Sequence, residues 1–180
     1  LPQKEGLVYP TEEEFAAAFA AVQAETIAPY EDKVSDQPLI SKIRKPGKIK
    51  KVSEDAFGYT KMVLSNGATV YLKTTDYNKD EILLQGFSWG GTSLYPVTPT
   101  LKVVDELPGI GGVGEFSKTE LSKALAGKQC SLNTTINLAS EGVVGQSTPK
   151  DFETMMQLLY LGFTAPRQDA EAFQSWKTKT

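Results

Sequence analysis

Residues 130–138 constrain the fold more than any other stretch. Cys130, Leu132, Thr134, Ile136 and Leu138 alternate with Ser131, Asn133, Thr135 and Asn137. A period of two with one apolar side predicts a strand that buries one face and wets the other. Such a strand must be covered by a second layer. The chain supplies one a few residues later: Phe152, Met155, Met156, Leu159, Tyr160 and Phe163 recur at helical spacing. That stripe is expected to be core, not a methionine or aromatic cofactor site. A one-faced strand followed by a one-striped helix predicts an α+β fold, a two-layer sandwich with an antiparallel sheet packed against helices.

The local signals around this core divide the chain. Pro10-Thr11-Glu12-Glu13-Glu14 has capping-box spacing, and Phe15, Phe19 and Val22 follow on one helical stripe. Pro29 is expected to stop that helix. Residues 31–58 read as a linker, with Asp36, Pro38, Pro46 and Gly47 and a basic run of Lys42, Arg44, Lys45, Lys48, Lys50 and Lys51. The run fits a solvated connector. The expected organisation is therefore a helix and linker over 1–58 and a second part over 59–180.

Within that second part, Asn66-Gly67 sits between alternating apolar runs and predicts a hairpin with a type I′ turn. A strand from Glu81 to Trp89 ends at Gly90-Gly91. Thr98-Pro99 predicts a helix start, with Leu101, Val104 and Leu107 on one side and Pro108 closing it. Ser117 and Glu120 form a second capping box, Phe116 is placed to staple onto Leu121, and Gly127 should end the helix. Glu141-Gly142 is expected to turn the chain into a short strand, Val143 to Ser147. Thr148-Pro149 then opens the long helix. Asp169 to Thr180 begins another, with Phe173 and Trp176 apolar, and stops without a glycine cap; a cut inside a longer chain is the expectation at both ends.

Composition excludes several kinds of chemistry. The chain has 180 residues, net charge -3, one cysteine and no histidine. A lone Cys130 makes neither an internal disulfide nor a thiolate metal cage, and it has no histidine to activate it. The charge balance offers no basic footprint for nucleic acid. The apolar runs are too short to span a bilayer, and no signal peptide is visible. Asp105-Glu106 and Glu12-Glu13-Glu14 lack calcium-loop spacing and read as solvated helix faces. Ser117-Lys118 and Ser122-Lys123 are adjacent on a helix and diverge. No catalytic and no metal-binding residue is therefore expected.

Gly109, Gly111 and Gly114 match G-x-G-x-x-G literally. A dinucleotide site also needs a strand before the loop, a helix directly after it, and an acidic residue about twenty positions on. Thr134 occupies that last place, and a connector between helices is the better account. Trp89, before Gly90 and Gly91, is exposed-looking and serves either contact or packing. Trp89, Gly90, Gly91, Gly111, Gly112 and Gly114 are the candidate substrate or partner contacts.

Four stretches in this order carry a family resemblance: "LSNGATVYLK" (64–73), "FSWGGTSL" (87–94), "GGVGEFSKTELSKALAGK" (111–128) and "STPKDFETMMQLLYLGFTAPRQDAEAF" (147–173). Together they resemble the insulinase/pitrilysin-type zinc metallopeptidases, most closely the third repeat of the long, four-repeat bacterial members. Phe163-Thr164-Ala165-Pro166-Arg167 corresponds to the family's F-x-x-P-R stretch. The family's His-x-x-Glu-His motif belongs on its first long helix, which corresponds here to Pro99–Leu107. No histidine is there.

The resemblance thus implies a non-catalytic repeat, the first half of one over 59–180, forming chamber wall and substrate enclosure for proteolysis by another repeat. Zinc is implied only for a catalytic repeat elsewhere in a parent metalloendopeptidase. The implied partners are other repeats of the same chain and a peptide or unfolded polypeptide substrate. An apolar surface left bare would favour a homodimer. Bacterial members of the family are exported, which implies the periplasm or cell envelope. Two alternatives stay open. One is a peptide-binding module using strand addition at Glu81–Trp89 or at the strand from Cys130. The other is an independent enzyme with carboxylate or nucleotide chemistry.

Overall fold

The computed structural model describes residues 6, 8–26, 38–42 and 45–179, apart from the side chains of residues 100 and 102. Pro29, Asp36 and Arg44 lie outside the described residues. The chain divides into two units, Leu1–Lys33 and Val34–Thr180. The first holds one helix, α1 (Glu12–Ala24), rich in alanine, the strongest helix former. Its capping box is complete: Glu14 N donates to Thr11 Oγ1 (3.2 Å), and Thr11 N donates to Glu14 Oε2 (2.9 Å). The stripe of Phe15, Phe19 and Val22 is exposed.

The second unit contains two antiparallel three-stranded sheets. The first has the order β1 (Ile49–Glu54), β2 (Thr60–Leu64), β3 (Thr69–Leu72). Part of the expected linker is therefore strand. β1 pairs with β2 from Ile49↔Leu64 to Glu54↔Thr60, with a bulge at Lys50. The basic run had masked its alternation. The β2–β3 hairpin lies at Asn66-Gly67 as expected, but its turn is not type I′. Only Gly67 has positive φ (92°), Gly67 N donates to Leu64 O, and Leu64 N donates to Ala68 O. This is a three-residue loop, a type I turn followed by a left-handed glycine. Asn66 keeps negative φ and uses its side chain to accept from Ala68 N (3.0 Å).

The second sheet has the order β4 (Ile82–Trp89), β6 (Ser140–Ser147), β5 (Cys130–Ile136). β5 alternates as its sequence predicts. β6, expected as a short partner, is the central strand. It starts earlier because the turn falls at Leu138-Ala139, closed by Asn137 N donating to Ser140 O (2.8 Å). Glu141 and Gly142 are strand residues paired with Ile136 and Thr135. Gly142 belongs there because a Cβ would run into Gly86 O of β4. Central glycines let strands approach closely.

The connection from β4 to β5 holds short 3-10 turns and one helix. Pro99–Val103 and Leu107–Gly109 are 3-10 turns, not the single helix expected from Thr98-Pro99. Neither start has a side-chain cap, Val103-Val104 is β-branched, and Pro108 and Gly109 interrupt any continuation. α2 (Lys118–Ala124) keeps its capping box, with Glu120 N donating to Ser117 Oγ and Ser117 N to Glu120 Oε2. Gly127 follows it at φ 78°.

α3 (Phe152–Thr164) packs on the sheet of β4, β6 and β5. It buries Met155, Leu158 and Leu161, which join Phe116 and Val143 as the buried apolar core among the described residues. The expected stripe is thus rotated: Met155 belongs to it, whereas Phe152, Met156, Tyr160 and Phe163 are exposed. The approach is close because β6 carries Gly145, whose Cβ would meet Leu132 Cδ1 at 2.9 Å and Met155 Sδ at 3.0 Å. α4 (Ala170–Lys179) ends the described chain, capped by Asp169 Oδ1 accepting from Ala172 N (2.9 Å).

Candidate functional site

A cleft of about 660 Å³ opens beside α3. Gly86, Phe87 and Ser88 of β4, Thr134–Ile136 of β5 and Glu141–Val143 of β6 form its sheet side. Gly162, Phe163 and Pro166 close it from the helix side, with Leu107 and Pro108 from the 3-10 turn at Leu107–Gly109. Apolar surface predominates, and Glu141 and Arg167 contribute the charged groups. α3 buries only its Met155–Leu158–Leu161 side, so the remaining sheet surface stays open.

On the face turned away from α3, β4 carries an aromatic pair. Phe87 and Trp89 pack edge to face, with ring centroids 4.9 Å apart. Both are solvent-facing, 61% and 80% exposed. The pair stands two residues apart on β4 and therefore on the same side of the strand. β4 is an edge strand of its sheet among the described residues.

The glycines expected as contacts lie at close backbone approaches. Gly90 and Gly91 are buried, and Gly91 (φ 79°) lies against the β5–β6 turn, where a Cβ would strike Asn137 O. Thr92 N and Ser93 N donate to Asn137 O and Leu138 O there. Gly111 and Gly112 are also buried. A Cβ on Gly111 would strike Arg167 O, and one on Gly112 (φ 88°) would strike Phe116 O. Gly114 sits against Leu161.

The glycine loop is thus the seat for the stretch that follows α3. Gly114 N donates to Ala165 O (2.8 Å), Arg167 N donates to Gly112 O (3.3 Å), and Val113 bridges Pro166. The Arg167 guanidinium donates to Glu115 O (3.3 Å) and lies 3.8 Å from Asp169. Of the six residues singled out in sequence, only Trp89 is strongly exposed, and none of them lines the cleft. Gly86 and Gly142 shape the cleft; Gly86 gave no motif signal, and Gly142 was read only as part of a turn. Their one legible trait was glycine inside a strand.

The electrostatics are those of structural contacts. Asp151 is buried at the start of α3. Gln129 N donates to its Oδ2 (2.9 Å), and Lys128 Nζ lies 3.6 Å from Oδ1. The Gln129 N–H, with help from Lys128, holds this carboxyl below its ordinary range despite burial. Burial, with Asp151 nearby, pushes the Cys130 thiol up, away from a reactive thiolate. The Ser117 hydroxyl and N–H keep Glu120 low.

Zinc does not fit the residues at the family's motif position. Catalytic zinc sites take nitrogen, sulfur or carboxylate donors, usually with histidine among them, and His-x-x-Glu-His needs a continuous helix to align two ligands. Here the donors are Asp105 and Glu106, on a broken 3-10 segment. Among the described residues no three His, Cys, Asp or Glu side chains gather into a metal-holding group.

Fold and site define a class first: an α+β domain with a sheet backed by one helix, and a mainly apolar cleft beside that helix. The relatives then narrow it. The chain is 29% identical over 123 residues to a "Zinc protease PQQL-like" protein of Arabidopsis thaliana, a match covering 67% of this chain and 13% of that one. Its fold is shared with the periplasmic protease PqqL from Escherichia coli (TM-score 0.72, 17% identity), over 94% of this chain and 19% of that one. It is shared equally with the ferredoxin protease FusC, solved as a mutant in complex with Arabidopsis ferredoxin (TM-score 0.71, 20% identity), over 96% of this chain and 20% of FusC. No family model matches the chain. This chain therefore spans about an eighth to a fifth of the length of these relatives. The likeness in sequence to a zinc protease, and in fold to two proteases, agrees with the insulinase/pitrilysin-type resemblance carried by residues 64–173.

Proposed function

We propose that this chain is part of a non-catalytic repeat, the third, of a long zinc metallopeptidase, and that it contributes chamber wall and substrate enclosure to proteolysis by another repeat. One observation supports the reading: the segment Pro99–Leu107, which the family resemblance sets against the zinc helix, holds 3-10 turns and no histidine, in a chain whose fold is shared with PqqL and FusC. The exposed Phe87–Trp89 pair on one face of the sheet and the apolar cleft on the other supply surface for side chains of a polypeptide in transit. FusC's crystallisation with ferredoxin favours a protein substrate for the parent, and PqqL's periplasmic location favours the cell envelope.

The test has two readouts. Equilibrium dialysis of the 180-residue chain against zinc is expected to reveal no stoichiometric tight site. A photo-cross-linking residue placed at Phe87 is expected to capture an unfolded polypeptide without cutting it. One equivalent of tightly held zinc, or cleavage of the captured chain, would overturn the proposal. So would capture no greater than from the exposed Tyr77.

A second reading rests on the β4 edge. Its eight residues pair on one side only, with β6, among the described residues. An extended peptide would add there by main-chain hydrogen bonds, its alternate side chains meeting Leu83, Phe87 and Trp89. Amide shifts confined to β4 on peptide titration support it. No binding of any unfolded peptide at millimolar levels argues against it.

A further inference from the structure

Charge is distributed unevenly along this chain, and the stretch that contains the sheet β1-β2-β3 carries the cationic excess. Residues 38–73 carry eight Lys and Arg against two carboxylates, a net charge of +6; the whole chain is -3, so the remainder carries -9. Strand register sorts these charges. Lys51 pairs with Val63, and Ser53 pairs with Lys61, which pairs with Tyr71. Those rows share one face. Val52, Met62 and Val70 form a row on the other.

On the lysine face the cationic heads are held over aromatic rings. Lys61 Nζ lies 5.3 Å from the centre of Tyr71, and Lys73 Nζ lies 5.4 Å from the centre of Tyr59. Lys73 also donates to Phe57 O and Gly58 O, which fixes its position. Neither carboxylate of the segment neutralises this face. Glu54 falls in the opposite-facing row with Thr60 and Leu72, and Asp55 Oδ1 already accepts from Phe57 N (2.9 Å) and Tyr59 N (3.0 Å). The bulged Lys50 and neighbouring Lys48 and Lys45 are exposed beyond it.

We infer that this Lys/Tyr face docks an acidic segment of another polypeptide. Fixed ammonium groups attract carboxylates, and the tyrosine rings between them offer apolar contact to the same segment. The charge distribution favours a polypeptide over a longer polyanion. Nucleic acid or an anionic membrane would extend past the patch, and residues 74–180, with nine Lys and Arg against twelve carboxylates, offer it no cationic excess to follow, whereas an acidic segment confines its charge to a short length. This surface is on a different sheet from the cleft, so the inference stands apart from the chamber-wall proposal.

Fluorescence anisotropy on the 180-residue chain tests it, using a fluorescein-labelled peptide with Asp or Glu at alternate positions. The acidic peptide is expected to bind, and a matched Lys peptide is not. Lys51→Glu with Lys61→Glu should weaken binding at least about tenfold, as should raising salt, while Lys51→Arg with Lys61→Arg retains it. Circular dichroism checks that each variant is folded, and Lys51→Gln with Lys61→Gln replaces the reversal if it is not. Unchanged affinity in a folded reversal or Gln variant overturns the inference. So does absence of binding by the native chain, or tighter binding of single-stranded DNA or phosphatidylserine vesicles than of the acidic peptide.

Discussion

Asp151 shows how one side chain ties distant parts of this chain together. It precedes α3, yet its carboxylate accepts from Gln129 N, at the entry to β5, and faces Lys128. Because these partners hold its folded pKa below the unfolded value, its contribution is full above the unfolded pKa of about 4 and disappears as pH falls through the lower folded value. The melting temperature is therefore expected to fall on acidification from about pH 5 to about pH 3, and Asp151→Asn should flatten that fall. An equal acid slope in the variant would refute the assignment. Nothing near Asp151 in sequence hints at Gln129, since the two meet only after β5, β6 and the turn between them have formed. The capping residues are the opposite case. Thr11 with Glu14 and Ser117 with Glu120 were readable because both partners lie within one turn of helix.

Elements were legible in kind more than in orientation. α3 was evident from its period, but eight of its thirteen positions are apolar and form a wide stripe, so spacing alone did not choose the buried side. Packing against Leu132 and Gly145 chose it. Met155, fully buried at 0% exposure, stands in contact range of Gly145, while Phe163 remains 67% exposed. Met155→Ala is expected to cost about 2–5 kcal/mol in urea unfolding. Phe163→Ala should change stability by less than about 1 kcal/mol, as surface changes do. Equal losses would mean the helix is seated the other way round. The Pro99–Val103 segment failed as a helix for a reason also visible locally: a proline start without a side-chain cap does not outweigh β-branched residues and a second proline at Pro108.

At the scale of the whole molecule, the described residues leave much apolar surface bare. Leu83, Phe87 and Trp89 are exposed on β4, as are Ile49, Val52 and Leu72 on the other sheet. Contiguous apolar surface of this kind drives association. The 180-residue chain is expected to self-associate with increasing concentration in sedimentation velocity, and Phe87→Ser with Trp89→Ser should shift it toward monomer. A strictly monomeric chain across that range would count against a homodimer. What the sequence determined by itself was local: the alternating strand from Cys130, the capped helices, the position of the Asn66-Gly67 hairpin, and the absence of any imidazole ligand. Those signals act between residues a few positions apart. Tertiary structure alone decided that β6 runs between β4 and β5, that the glycine loop seats Ala165–Arg167, and that Lys51, from an expected linker, shares a sheet face with Lys61. These depend on which backbones approach each other across long stretches of chain, and a glycine's missing Cβ gives no sign of the partner that will fill its place.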